Sequence, residues 1–180
     1  MWDIDKDKDV FKKILEEYLL KPKPENPRIL NLGCGTCLET SVLIDFFGVG
    51  SSITGIDRDK EKINRAKNYH IYENIDFIAG DIQYLTDFIA GYFDIIIARH
   101  PNLQESRWDI VFSEAYKLHK EGGILIATSF SAVEGKQVIR HIKNAGYNIL
   151  ASEENKFAIP ITKYLGNRIA NDGYIVIAQK

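Results

Sequence analysis

From Ile29 onward, short apolar runs alternate with stretches of helical periodicity, and this alternation most constrains what the chain can fold into. Ile29–Leu32, Ser52–Asp57, Ile75–Ala79, Phe93–Ala98 and Ile124–Thr128 are short, rich in β-branched residues and bounded by turn residues, so they read as strands. Helices are expected between them, over Leu38–Phe47, Asp59–Tyr72, Tyr84–Ala90, Asn102–His119 and Ala132–Asn144. Thr36 with Glu39, and Asn102 with Glu105, have the spacing of capping boxes. Gly122-Gly123 and Gly146 act as stops, and further strands are expected over Tyr147–Ala151 and Tyr174–Ala178. Such alternation implies an α/β three-layer sandwich with helices on both faces of a mostly parallel, seven-stranded sheet. Glu153–Gly173 carries no helical pattern, so it is expected to run irregularly into an antiparallel last strand.

Before this region, Val10, Phe11, Ile14, Leu15, Tyr18 and Leu19 share one face of a helix expected over Asp7–Leu20. Three prolines within Lys21–Pro27 forbid helix there. Residues 1–24 are therefore read as an N-terminal helix and linker forming a cap, and 25–180 as the main domain. A net charge of −2 argues against coating nucleic acid by bulk electrostatics, and Lys21, Lys23 and Arg28 form only a weak basic cluster. No apolar stretch approaches the ~20 residues of a membrane span, and the acidic, mixed-charge start is unlike a signal peptide. The expectation is a cytoplasmic protein with a small-molecule substrate.

The chemistry concentrates in Arg28–Glu39, where a strand ends in a tight glycine turn, Gly33-Cys34-Gly35-Thr36-Cys37, and opens into a helix. Backbone N–H groups left unpaired at such a point attract an anionic or strongly polar ligand group. Asp57 and Asp81 follow at the ends of two further strands. A carboxylate accepts only, and can take two hydroxyl donors at once. A dinucleotide fingerprint would place a glycine at Leu38, five residues after Gly33. Cys34 and Cys37 match C-x-x-C, but no second cysteine pair exists and His70, His100, His119 and His141 are scattered, so no metal site is expected.

These segments together resemble the class I S-adenosylmethionine-dependent methyltransferases over nearly the whole chain. Gly33–Cys37 is similar to the family's glycine-rich first motif, Ile56-Asp57 and Gly80-Asp81-Ile82 to its acid-bearing strand ends, Phe93–Ile97 to its fourth-strand motif, and Gly122–Ile126 to its entry into the fifth strand. The resemblance implies a Rossmann-like fold and S-adenosyl-L-methionine as cofactor. By the same resemblance Gly33, Cys34 and Gly35 line its methionyl part, Asp57 takes both ribose hydroxyls, and Asp81 with Ile82 meets the adenine. Arg58 and Arg99 are further cofactor-site candidates, and Asn31 stands where the family usually has Asp or Glu. Asn31 can hydrogen-bond but cannot meet the cofactor's ammonium as a charge. Cys37 stands where the family usually has a third glycine.

Ala98-Arg99-His100-Pro101-Asn102 follows the fourth strand, where the resemblance places substrate-facing residues. His100 is the candidate general base, with an ordinary pKa near ~6.5. Arg-His-Pro-Asn does not match the D/N-P-P-Y motif of adenine-modifying relatives. Trp2, Trp108 and Tyr18 read as packing residues, with Trp2 and Tyr18 also able to line a lid. The alternative readings are a dinucleotide-binding enzyme and a cofactor- or nucleotide-binding module without catalysis.

Overall fold

The computed structural model describes the backbone of residues 4–19, 24–105, 107–164 and 167–180, and their side chains outside 160–170. Trp2, Lys21 and Lys23 lie outside the described residues. In chain order the elements are α1 (Ile4–Tyr18), β1 (Arg28–Leu32), α2 (Thr40–Phe47), β2 (Ser52–Asp57), α3 (Lys60–Tyr69) and β3 (Ile75–Ala79), then a 3-10 turn (Ile82–Tyr84), α4 (Leu85–Phe88) and β4 (Phe93–Arg99). There follow α5 (Trp108–Lys117), β5 (His119–Ser129), α6 (Ala132–Asn144), β6 (Asn148–Glu154), β7 (Pro160–Tyr164), β8 (Asn167–Ala170) and β9 (Tyr174–Gln179).

The seven-stranded sheet has the order β3-β2-β1-β4-β5-β9-β6. β1 to β5 pair in parallel, and β9 is antiparallel to both β5 and β6. The expected mixed sheet and antiparallel last strand are borne out. Strand order reverses between β1 and β4, so the crevice for a ligand opens beyond the carboxyl ends of these two strands.

Side chains alternate across each strand, and this splits the core in two. Leu30, Leu32, Ile96 and Ala98 pack against α5 and α6 through Val111, Phe112, Val138 and Ile142. Ile29, Ile95, Ile97, Ile126 and Ile177 face the other way, onto α1 and α2. Helix α1 of the expected cap is seated in this second core by Phe11, Ile14 and Leu15, each fully buried. Burial of each such side chain stabilises by ~1.5–3 kcal/mol, so α1 is held firmly to the sheet.

Three local expectations are corrected. Thr36 and Glu39 form no capping box: α2 begins at Thr40, and Glu39, its N-cap residue, makes no side-chain cap bond. Asn102 and Glu105 form none either, because α5 begins at Trp108 and Glu105 turns to Arg58. The 153–173 stretch is not wholly irregular but contains the antiparallel pair β7–β8.

Candidate functional site

The turn after β1 is built from left-handed residues: Gly33 at φ 62°, Gly35 at φ 56° and Cys37 at φ 56°. Gly33 is open on its Cβ side, so the backbone itself forms a wall of the crevice. A cysteine is costly at positive φ, and here its side chain offsets the strain. The Cys37 thiol is buried in a cluster with Cys34, Ile63, Ala66 and Phe77, and its Sγ lies 3.4 Å from Asn31 Nδ2. The hydrogen bond to Cys37 and burial both raise the Cys34 pKa, in keeping with a thiol packed among Cys37, Ile63, Ala66 and Phe77. Among the described residues no group of three or more His, Cys, Asp or Glu is placed to hold a metal ion.

At the end of β2, Asp57 locks the turn. Its Oδ2 accepts from the Gly35 N–H at 2.8 Å, and its Oδ1 accepts from the Asp59 N–H at 2.8 Å. Each carboxylate oxygen keeps a second lone pair for a ligand donor. Asp59 caps α3 by accepting from the N–H groups of Glu61 and Lys62. At the end of β3, Asp81 accepts from the Gln83 N–H at 3.0 Å and so starts the 3-10 turn, with Ile82 buried beneath it. Gly33, Asp57, Arg58, Asp81, Ile82, Arg99 and His100 all line one cavity of about 390 Å³, which Trp108 and Glu105 complete. Arg58 reaches Glu105 across its exposed rim.

A second cavity of about 430 Å³ adjoins the first through Gly33, Lys62, Arg99 and His100, and is also walled by Asp7, Gly35 and Glu39. Between the two lies a buried ionic cluster. Arg99, at the end of β4, donates through Nε to Asp172 Oδ1 at 3.2 Å, through Nη2 to Asp172 Oδ2, and through Nη2 to Asp7 Oδ1 at 3.0 Å. Its guanidinium also stacks over Phe11 of α1, 4.6 Å from the ring centre. Burial opposes its charge, but Asp172, Glu39 and Asp7 outweigh that and raise its pKa further. Asp172 also accepts from Thr128 Oγ1 at 2.5 Å. Burial pushes the Asp172 carboxyl up, while Arg99 and His100 more than offset this and hold it well below the usual range.

His100 sits at φ 51°, a strained value for a side chain of its size, with its ring stacked on Phe130 at 4.1 Å between centroids. Its Nε2 lies 3.1 Å from Asp172 Oδ1 but off the hydrogen-bond line, and its Nδ1 has no hydrogen-bond partner. Asn31, 1% exposed on β1, does not line the cavities but donates from Nδ2 to Glu39 Oε1 at 2.9 Å.

A family model described as a methyltransferase domain matches residues 23–166. The chain belongs to the class I S-adenosylmethionine-dependent methyltransferase family. Within this family, its sequence is 30% identical over 104 residues to a sterol 24-C-methyltransferase of Debaryomyces hansenii, covering 56% of this chain and 27% of that protein. It is 34% identical over 115 residues to an arsenite methyltransferase of Rattus norvegicus, covering 56% of this chain and 30% of that protein. The alignments thus span about a third or less of these relatives' own length. In three dimensions the chain is similar to Aeropyrum pernix fibrillarin, solved with natively bound S-adenosyl-L-methionine, at a TM-score of 0.72 and 17% identity, covering 97% of this chain and 76% of that one. At that identity the likeness establishes the fold.

The sequence-nominated residues of this methyltransferase domain converge on the paired cavities, except Asn31, which lies behind Glu39. Sequence reasoning missed Asp7, Glu39, Lys62 and Asp172. Asp7 carried a signal, since it precedes Val10 and Phe11 by three and four residues and so lies on the apolar face of α1. The tight packing of the turn yields a direct expectation. A Cβ at Gly55 would meet Cys34 Sγ and Cys37 Sγ at 2.9 Å and Phe77 Cδ1 at 3.0 Å. Gly55→Ala is expected to destabilise the domain by about 1–3 kcal/mol in urea unfolding. An unchanged unfolding midpoint would show that the thiol layer yields freely.

Proposed function

We propose that this chain binds S-adenosyl-L-methionine across the two cavities and catalyses methyl transfer to a small-molecule acceptor. The observation that carries this reading is the Asp57 carboxylate, fixed by two backbone N–H groups at the strand end and lining the same cavity as Asp81. A carboxylate held in this way is preorganised for a diol. The residues fit the cofactor: Gly33 and Gly35 leave room beside the turn, Asp57 suits the ribose, and Asp81 with Ile82 suits the adenine. When bound, the cofactor supplies a methyl group already activated by its sulfonium charge.

The protein's task is then alignment, and positioning alone can supply ~7–11 kcal/mol of the barrier. His100 is the residue we assign to take a proton from an acceptor that must lose one, since its side chain lines both cavities and neither of its buried ring nitrogens has a hydrogen-bond partner. Arg99 supports that strand end through its two carboxylates, with α1 as the cap that brings Asp7 to it. Arg58 with Glu105 closes the rim. The relatives' names specify acceptors as unlike as a sterol and arsenite, both of them small molecules, which supports an acceptor of that class. Among the described residues no helix is long and apolar enough to cross a membrane.

The test is label transfer. Protein incubated with methyl-labelled cofactor at sub-saturating concentration and fractionated cell extract should pass label to one fraction, and Asp57→Ala should pass at least about tenfold less. Cofactor binding with no label in any fraction would point to a binding module without catalysis.

A further inference from the structure

Resting on the cofactor reading above, we propose that Glu39 receives the α-ammonium group at the amino-acid end of the cofactor. Glu39 is 7% exposed and lines the cavity walled by Gly33 and Gly35. It stands at the N-cap of α2, where a carboxylate would ordinarily turn onto the helix N–H groups, yet it makes no such bond. Its side chain instead reaches the Asn31 amide, 2.9 Å away.

That contact fixes the amide's orientation, because a carboxylate can only accept and Asn31 must present Nδ2. In consequence Asn31 Oδ1 is left buried with no hydrogen-bond partner. An orphaned acceptor is unfavourable, and such exceptions call for a compensating gain. Here the gain is a carboxylate held at the cavity wall.

Charge on the walls identifies what such a carboxylate would take. Asp7 and Asp172 are both bound directly by Arg99. Lys62, a cation on the same wall, is exposed and lies 3.7 Å from Asp59. Glu39 also feels the Arg99 charge, but it is the buried carboxylate of this wall whose hydrogen bond comes from a neutral amide and not from that guanidinium. The N–H groups of Cys34, Gly35 and Cys37 are taken by Ile56, Asp57 and Cys34, so the charge this wall offers the amino-acid end is the Glu39 carboxylate, which suits an ammonium donor. The negative charge missing from Asn31 on β1 is thereby supplied from the start of α2.

Calorimetric titration of the full chain tests this with two ligands: S-adenosylhomocysteine, and its deamino analogue with hydrogen in place of the α-amino group. The wild type should prefer S-adenosylhomocysteine by roughly tenfold or more, the effect of one hydrogen bond to a charged group. Glu39→Gln keeps an acceptor for Asn31 and should bind both ligands alike, near the wild type's affinity for the deamino compound. If Glu39→Gln retains the wild-type preference, the assignment is overturned while the cofactor reading stands. Equal affinity of the wild type for the two ligands overturns it without any variant. If the wild type binds neither, both the assignment and the cofactor reading fall.

Discussion

Arg99→Met is expected to lower the unfolding free energy by about 3–5 kcal/mol at neutral pH, the typical result of removing one partner from a buried ion pair. The substitution keeps most of the side chain's volume but strands two carboxylates. Asp172 is fully buried and Asp7 is 6% exposed, so water cannot replace the lost guanidinium. The Phe11 stack goes too. The pH dependence identifies the cause. In the wild type the Asp172 pKa is lowered below its ordinary 3.8, so its contribution is present above that value and is lost as acid protonates the folded state. In the variant His100 still faces Asp172, but burial without the guanidinium raises the carboxyl's pKa relative to the wild type, so acid relieves part of the penalty. The stability gap between the two proteins should therefore be widest near neutrality and shrink through about pH 4. A gap that stays constant with pH in denaturant unfolding would mean that Arg99 acts through packing alone.

Asp57→Ala is expected to weaken S-adenosylhomocysteine binding roughly tenfold to a hundredfold, as removal of a charged acceptor usually does. Asp57 also anchors the turn through the Gly35 and Asp59 N–H groups, so the variant loosens the glycine backbone as well. A ligand without ribose hydroxyls separates the two effects. It should lose little between wild type and variant if the diol is what Asp57 recognises. An equal loss for both ligands would reduce Asp57 to a loop anchor.

Much of the fold was legible because its signals are local. Ser52–Asp57 and Ala132–Asn144 form the strand and helix their periodicity specifies, with Ser131 capping the helix by accepting from the Glu134 N–H. The sequence misled where a side chain found a better partner at long range. Glu39 has capping-box spacing but turns to Asn31, and Glu105 turns to Arg58. β5 begins at His119 and passes through Gly122-Gly123, because its pairing with β4 is irregular between Phe93 and Ile95 and accommodates the glycines. At the site, Asp57 and Asp81 were legible because strand ends are legible. Asp172 was not: Asn171-Asp172-Gly173 has the composition of a plain turn, and its partner Arg99 lies 73 residues away. Only the fold brings these charges together.

The crevice beyond the carboxyl ends of β1 to β4 has the lining to suit a sulfonium nucleoside: backbone at Gly33, acids at Asp57 and Asp81, and Arg99 and His100 opposite. The most direct test of that fit is calorimetry of the wild-type chain with S-adenosyl-L-methionine and, separately, with NAD and NADP. S-adenosyl-L-methionine should bind saturably at one site per chain, and neither dinucleotide should bind. Binding of a dinucleotide without binding of S-adenosyl-L-methionine would contradict that fit.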